Sequence, residues 1–159
     1  MRITLRSLLS KLFWWRPCVF CVIARGTTAD QIVYQDEDIL AFYDIKPAAE
    51  THILIIPKDH IVSVKTIRVS DYDLLLRMQS KAHDLLQKHG HDLTSSRLGF
   101  HIPPYNTVDH LHLHVLGGEF ESPYRSTKYE IGKKWYKDLG HLLSDLECER
   151  SKQSTFFGL

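Results

Sequence analysis

Asp109-His110-Leu111-His112-Leu113-His114-Val115-Leu116 is the stretch whose reading decides the fold. Successive side chains of a strand point to opposite faces, so strict alternation of apolar and polar residues marks a strand with one buried side. Leu111, Leu113 and Val115 then face the core, while His110, His112 and His114 share the other face. Gly117-Gly118 is expected to end the run. A single histidine on a strand is readily explained as a solvated or hydrogen-bonded residue; three in strict alternation are not. An unperturbed imidazole titrates near pH ~6.5, so a row of them can act as nucleophile, acid and ligand close to neutrality. At roughly 3.3 Å per residue, neighbours on that face lie about 6.6 Å apart and the outer pair about 13 Å. One reacting atom cannot be served directly by all three. The central His112 can attack it, one neighbour can touch it, and the other is left for a different task.

Working outward, residues 32–34 and 39–45 are short strand candidates joined by the polar turn Asp36-Glu37-Asp38. Residues 52–57 form an apolar, β-branched run, typical of a buried strand that stops at a proline. Ser70 is expected to open a capping box with Asp73, and Leu75, Met78, Ala82, Leu85 and Leu86 fall on one face of the helix behind it, before Gly90. Residues 98–102 are a further strand candidate, halted by Pro103-Pro104. The spacing predicts a last helix over 133–150, with Trp135, Leu139, Leu142, Leu143 and Leu146 on its core face. Neighbouring strands joined by a turn or one helix specify an α+β domain. Its central sheet is mainly antiparallel, with one long helix and one C-terminal helix.

The chain has 159 residues, the size of one ordinary domain, and a hydrophobic fraction of 43% suffices for one core. Twenty basic and 19 acidic residues leave a formal charge of +1. That balance creates no broad field for a polyanion, which argues against extended nucleic acid as a partner. No run approaches the roughly 20 apolar residues of a membrane span, so a membrane is not an expected partner. Three cysteines, two of them as Cys18-x-x-Cys21, are too few for a secreted disulfide framework and point to a reducing compartment, cytoplasmic or nuclear. Residues 1–17 stand apart as a basic, acid-free extension with Leu5, Leu8, Leu9 and Leu12 at helical spacing. That pattern fits a helix docking on a partner, a helix on a membrane surface, or a mitochondrial presequence. The expected organisation is this extension, a single domain over 18–150, and a tail over 151–159.

The His110–His114 alternation followed by Val115-Leu116 resembles the signature of the histidine triad (HIT) superfamily. Phe42-Tyr43-Asp44-Ile45-Lys46-Pro47, and then Thr51-His52 through Pro57-Lys58 to His60-Ile61, resemble the nucleotide-binding strands of its HINT branch. The resemblance covers about residues 18–118. It implies a HIT-like α+β fold, often paired into a homodimer. It also implies nucleoside phosphoramidase or nucleotidyl hydrolase activity on purine nucleotides such as AMP derivatives, with no organic cofactor. By the same resemblance His112 is the nucleophile, His114 contacts the phosphate and helps the leaving group, and His52 is the upstream histidine. Asp44, with Ile45 beside it, binds the ribose, and Thr107 stands where the family has a serine near the scissile bond. The loop before the triad departs from the common Asn- and Gly-bearing pattern, with Gly99-Phe100-His101-Ile102-Pro103-Pro104 in its place. His101 or Asn106 would replace the lost polar contact to substrate.

The chemistry agrees with that assignment. A neutral imidazole nitrogen attacks phosphorus without first losing a proton, and a phosphorylated imidazole is itself a good leaving group, so one hard displacement becomes two easier ones. Cys18-x-x-Cys21 has the spacing of half a zinc site, or of two buried core cysteines. The resemblance supplies His60 and His110 as the other two ligands of a structural zinc, which gives the otherwise idle His110 a task. The alternatives to a phosphoramidase are a nucleotide-binding or protein-interaction module, diadenosine polyphosphate hydrolysis, and removal of AMP from adenylated DNA ends.

Overall fold

The computed structural model describes residues 17–26 and 32–156. The basic extension over 1–17 lies outside them apart from Pro17, as does the end of the tail. Among the described residues a short helix α1 (Val19–Ala24) leads into strands β1 (Ile32–Gln35), β2 (Ile39–Tyr43) and β3 (Ala49–Pro57). The long helix α2 (Tyr72–Lys88) follows, then β4 (Arg97–His101), β5 (Leu113–Phe120), α3 (Pro123–Lys128), β6 (Tyr136–Asp138) and α4 (Leu139–Phe156). The six strands form one sheet in the order β1-β2-β3-β5-β4-β6, every neighbouring pair antiparallel.

The alternation of the sequence sorts the sheet into two faces. Ile39, Ala41, Ile53, Ile55, Leu113, Val115 and Phe100 point one way and are covered by α2 and α4, through Leu75, Met78, Ala82, Leu86, Leu139, Leu142, Leu143 and Leu146. The opposite face carries Leu40, Phe42, Leu54 and Ile56, against which α1 packs Phe20. Ala48, Ala49, Leu116, Tyr129 and Tyr136 extend that face towards β6. His52 and His114 lie on this second face as diagonal neighbours, because His52 pairs with Leu116 and Leu54 with His114.

Four local expectations are corrected. The capping box of Ser70 with Asp73 does not form. A 3₁₀ turn, Val69–Asp71, precedes the helix, and the Asp71 carboxylate accepts from the Arg68 N–H at 2.8 Å, so α2 begins at Tyr72. The histidine strand starts later than its alternation suggests. β3 ends at Pro57, which has no N–H for a further rung, and the Leu111 N–H turns instead to the Ile61 carbonyl at 2.6 Å. The pairing begins at Leu113. It also runs through Gly117-Gly118 to Phe120, across an irregular step between Ala49 and Thr51. Gly118 adopts φ +77° there, a conformation open to glycine at no steric cost. Finally, residues 133–138 are not helical. Asp138 Oδ1 accepts from the His141 N–H at 2.9 Å and caps α4, so the residues before it pair as β6 and Trp135 stands outside the helix.

Candidate active site

His112 is held by its own chain. Its Nδ1–H donates to the His110 carbonyl at 2.6 Å, which leaves the Nε2 lone pair directed away from the backbone. The edge of Phe20 packs against its ring at 5.3 Å. Burial lowers the His112 pKa and the bond to the His110 carbonyl opposes that shift, so the neutral, nucleophilic ring is favoured.

Beside it three more imidazoles join in a chain. The Ala48 N–H donates to His52 Nδ1 at 3.1 Å, His52 Nε2 meets His114 Nδ1 at 2.9 Å, His114 Nε2 meets His101 Nδ1 at 3.1 Å, and His101 Nε2 meets the Lys128 carbonyl at 3.1 Å. A backbone amide can only donate and a carbonyl can only accept, so both ends impose one direction. Each ring therefore carries its single proton on Nε2 and is neutral. Burial keeps them so. It lowers His52 to about 4 against the pull of Asp44, lowers His101, and holds His114 well below the ordinary imidazole value. Tyr129 lies over all three rings with centroids at 5.5, 5.2 and 5.0 Å, and its own hydroxyl is pushed up to about 12 by burial.

A cavity of about 700 Å³ opens over this row. Phe20, Ile23, Phe42, Leu54 and Val108 form an apolar wall on one side, with Asp44 and Ile45 at its rim. His112, His114 and His101 line the cavity too, and Thr107, Tyr105, Arg125, Lys128, Tyr129 and Trp135 complete it. The Asp44 carboxylate accepts from the Lys46 N–H through Oδ1 at 2.8 Å, and its Oδ2 stands 3.5 Å from His52 Nε2. The structure thus brings together His112, His114, His101, His52, Asp44, Ile45 and Thr107. Asn106 borders a smaller recess with His101 and His112, and its amide donates to the Val108 carbonyl and to Asp109. Tyr129, Arg125, Lys128 and the cavity-lining position of Trp135 were not legible in the sequence, because the stretch from α3 through to β6 carries no periodic pattern. Gly99 marks the close approach of β6 itself. A Cβ there would come within 2.6 Å of the Tyr136 ring and the Lys137 carbonyl.

His110 takes no part in the row. Its Nε2–H donates to the Pro57 carbonyl at 2.9 Å, which turns Nδ1 towards Cys18 and Cys21, 3.5 Å from each sulfur. His60 Nδ1 lies 3.2 Å from Cys21 Sγ and 3.2 Å from His110 Nδ1. These four ligand atoms all lie within 4.8 Å of one another and form a group able to hold a metal ion. Burial, with the neighbouring Cys18 side chain, raises the Cys21 thiol pKa, and a cation bound beside it would reverse that.

The family model described as scavenger mRNA decapping enzyme C-term binding matches residues 17–130. The bifunctional adenosine 5′-phosphosulfate phosphorylase/adenylylsulfatase HINT4 of Arabidopsis thaliana is 42% identical over 138 residues, 84% of this chain and 88% of that protein. The adenosine 5′-monophosphoramidase HINT3 of Danio rerio is 41% identical over 127 residues, 76% of each. A HIT family hydrolase from Clostridium thermocellum superposes with a TM-score of 0.62 at 38% identity, covering 69% of this chain and 96% of that one. With its imidazole row, its upstream histidine and its carboxylate in the places the motifs require, the chain belongs to the histidine triad superfamily, on its HINT branch.

Proposed function

We propose that this chain is a nucleotide hydrolase that cleaves the α-phosphate P–N or P–O bond of purine nucleoside 5′-monophosphate derivatives through a covalent His112–nucleotide intermediate. The observation that carries this reading is the fixed tautomer of His112, whose Nδ1–H is held by the His110 carbonyl while Nε2 stands free at the wall of the cavity. In the first half of the reaction Nε2 bonds to phosphorus, and the bond to the leaving group breaks as that amine or alkoxide takes up a proton from solvent. The imidazolium that forms is stabilised by the His110 carbonyl. The apolar wall of Phe20, Ile23, Leu54 and Val108 takes the base, and Asp44 takes the ribose hydroxyls. His114 supplies an N–H to the phosphoryl oxygens. Water then releases the nucleotide from His112. The relatives named for adenosine phosphoramidate and adenosine phosphosulfate substrates support this choice of nucleotide. Incubation with an adenosine phosphoramidate should release AMP, and His112→Ala should stop the release without loss of fold. AMP formation at wild-type rate by that variant would remove the mechanism.

Cys18, Cys21, His60 and His110 would hold a structural zinc ion. At about 2.3 Å to sulfur and 2.0–2.1 Å to nitrogen, a tetrahedral site has S···N edges of about 3.6 Å and an N···N edge of about 3.4 Å. The separations here of 3.2–3.5 Å fit that shape. The ion would tie α1 to the sheet and so fix Phe20 against His112. All four ligands being protein atoms, it would leave no open position for chemistry. A homodimer, as the resemblance implies, is the assembly proposed in solution, and analytical ultracentrifugation tests it.

A further inference from the structure

The two ends of the imidazole chain limit what each ring can do. His114 offers the cavity an N–H, and its only lone pair, on Nδ1, is occupied by His52. His52 in turn is closed at Nδ1 by the Ala48 amide, which cannot give up its proton. Neither ring can accept a proton without setting two N–H groups head to head. His101 differs. Its Nδ1 lone pair is held only by the His114 N–H, and its ring lines the cavity beside His112. An anionic phosphoryl oxygen is a stronger acceptor than a neutral imidazole nitrogen. A phosphoryl group on His112 Nε2 therefore draws the His114 N–H to itself and bares His101 Nδ1.

We propose that His101 is a catalytic residue, the general base that takes the proton of the water attacking the His112–nucleotide intermediate. This rests on the reading of His112 as nucleophile. The water oxygen bonds to phosphorus, and its proton passes to His101 Nδ1. The P–Nε2 bond breaks, and its electron pair returns to His112. The nucleoside monophosphate leaves. The His101 imidazolium keeps its Nε2–H on the Lys128 carbonyl, which stabilises the transient charge. It then yields the extra proton to solvent, and the chain re-forms. Tyr129 packs edge-on against His52 and His114 and tilted against His101, and of the three rings only His101 is not fully buried, so the attacking water meets His101 and not His52.

The test is His101→Gln, whose amide can accept from His114 and donate to Lys128 but cannot serve as a base. With an adenosine phosphoramidate it should release one burst of amine stoichiometric with enzyme and accumulate nucleotidyl-His112. Its steady turnover should fall roughly 10²–10⁴-fold, the usual worth of a general base. That turnover should no longer depend on which amine leaves. Full turnover, or slow turnover with no burst and no adduct, overturns the proposal while wild-type activity leaves the hydrolase reading standing. A wild-type enzyme that makes no AMP overturns both. Should the variant not fold, breakdown of the wild-type adduct is compared in H₂O and D₂O. Slower breakdown in D₂O is expected from a proton in flight, and equal rates overturn the proposal.

Discussion

Acid should unfold this protein through its buried imidazoles, and His52 gives the size of the effect. The residue is 2% exposed, burial lowers its pKa to about 4, and the ordinary value is 6.5. The folded-state pKa is depressed, so between these two values the unfolded chain binds more protons, and stability rises with pH. The contribution is fully present above about pH 6.5 and is lost as pH falls through about 4. A difference of about 2.5 pKa units corresponds to roughly 3 kcal/mol at about 1.36 kcal/mol per unit. Domains of this size have about 5–15 kcal/mol in all, so one ring accounts for a substantial part. His101 and His114 are shifted in the same direction and add to the slope. Urea unfolding of metal-free protein at pH 7, 6, 5 and 4.5 should show the free energy of unfolding falling steadily. His52→Gln, which can keep both hydrogen bonds without a titrating group, should lose part of that dependence. Stability that stays level from pH 7 to 4.5, or a variant with the wild-type slope, would refute the reasoning.

Purified protein should contain about one zinc per chain, and chelation should lower its melting temperature, because an ion bound only to the folded state stabilises it. Metal analysis beside a thermal melt checks this, and an unchanged melt after complete removal would count against it. Asp44→Asn should abolish the preference for ribonucleotide over deoxyribonucleotide substrate, a discrimination of about 1.5–3 kcal/mol if charged hydrogen bonds carry it. The ratio of kcat/KM for the two sugars is the measurement. Leu113, fully buried between the sheet and its helices, should cost about 2–5 kcal/mol when replaced by alanine, read from denaturant midpoints.

Much of this was legible because the chemistry lies on strands. The period of two set the core face of Leu111, Leu113 and Val115 against the face of His112 and His114, and the buried run into Pro57 placed His52 beside them. The Cys18-x-x-Cys21 spacing, with the family's two histidines, pointed to the four side chains that come together in a group able to hold a metal ion. What failed depended on contacts between distant segments. Pro57 delays the start of β5 through a missing N–H, which alternation alone does not register. Asp138 caps α4, so Trp135, at a spacing that suited a helix, lines the cavity instead. The chain from His52 to His101 is set by backbone groups at Ala48 and Lys128, whose hydrogen bonds have no residue-type signal. Tyr129, the cover over that chain, sits just past a short helix with no periodic pattern around it.

The covalent nucleotide proposed on His112 is the centre of the mechanism, and such an adduct is open to direct observation. Wild-type enzyme mixed with an adenosine phosphoramidate should be quenched in denaturant at alkaline pH, where phosphorylated imidazole survives, digested, and mapped by mass spectrometry. The expected result is an AMP-bearing peptide with the modification on His112, absent from His112→Ala. AMP produced at full rate with no such peptide at any quench time, or with the adduct on His114 or His101, would contradict it.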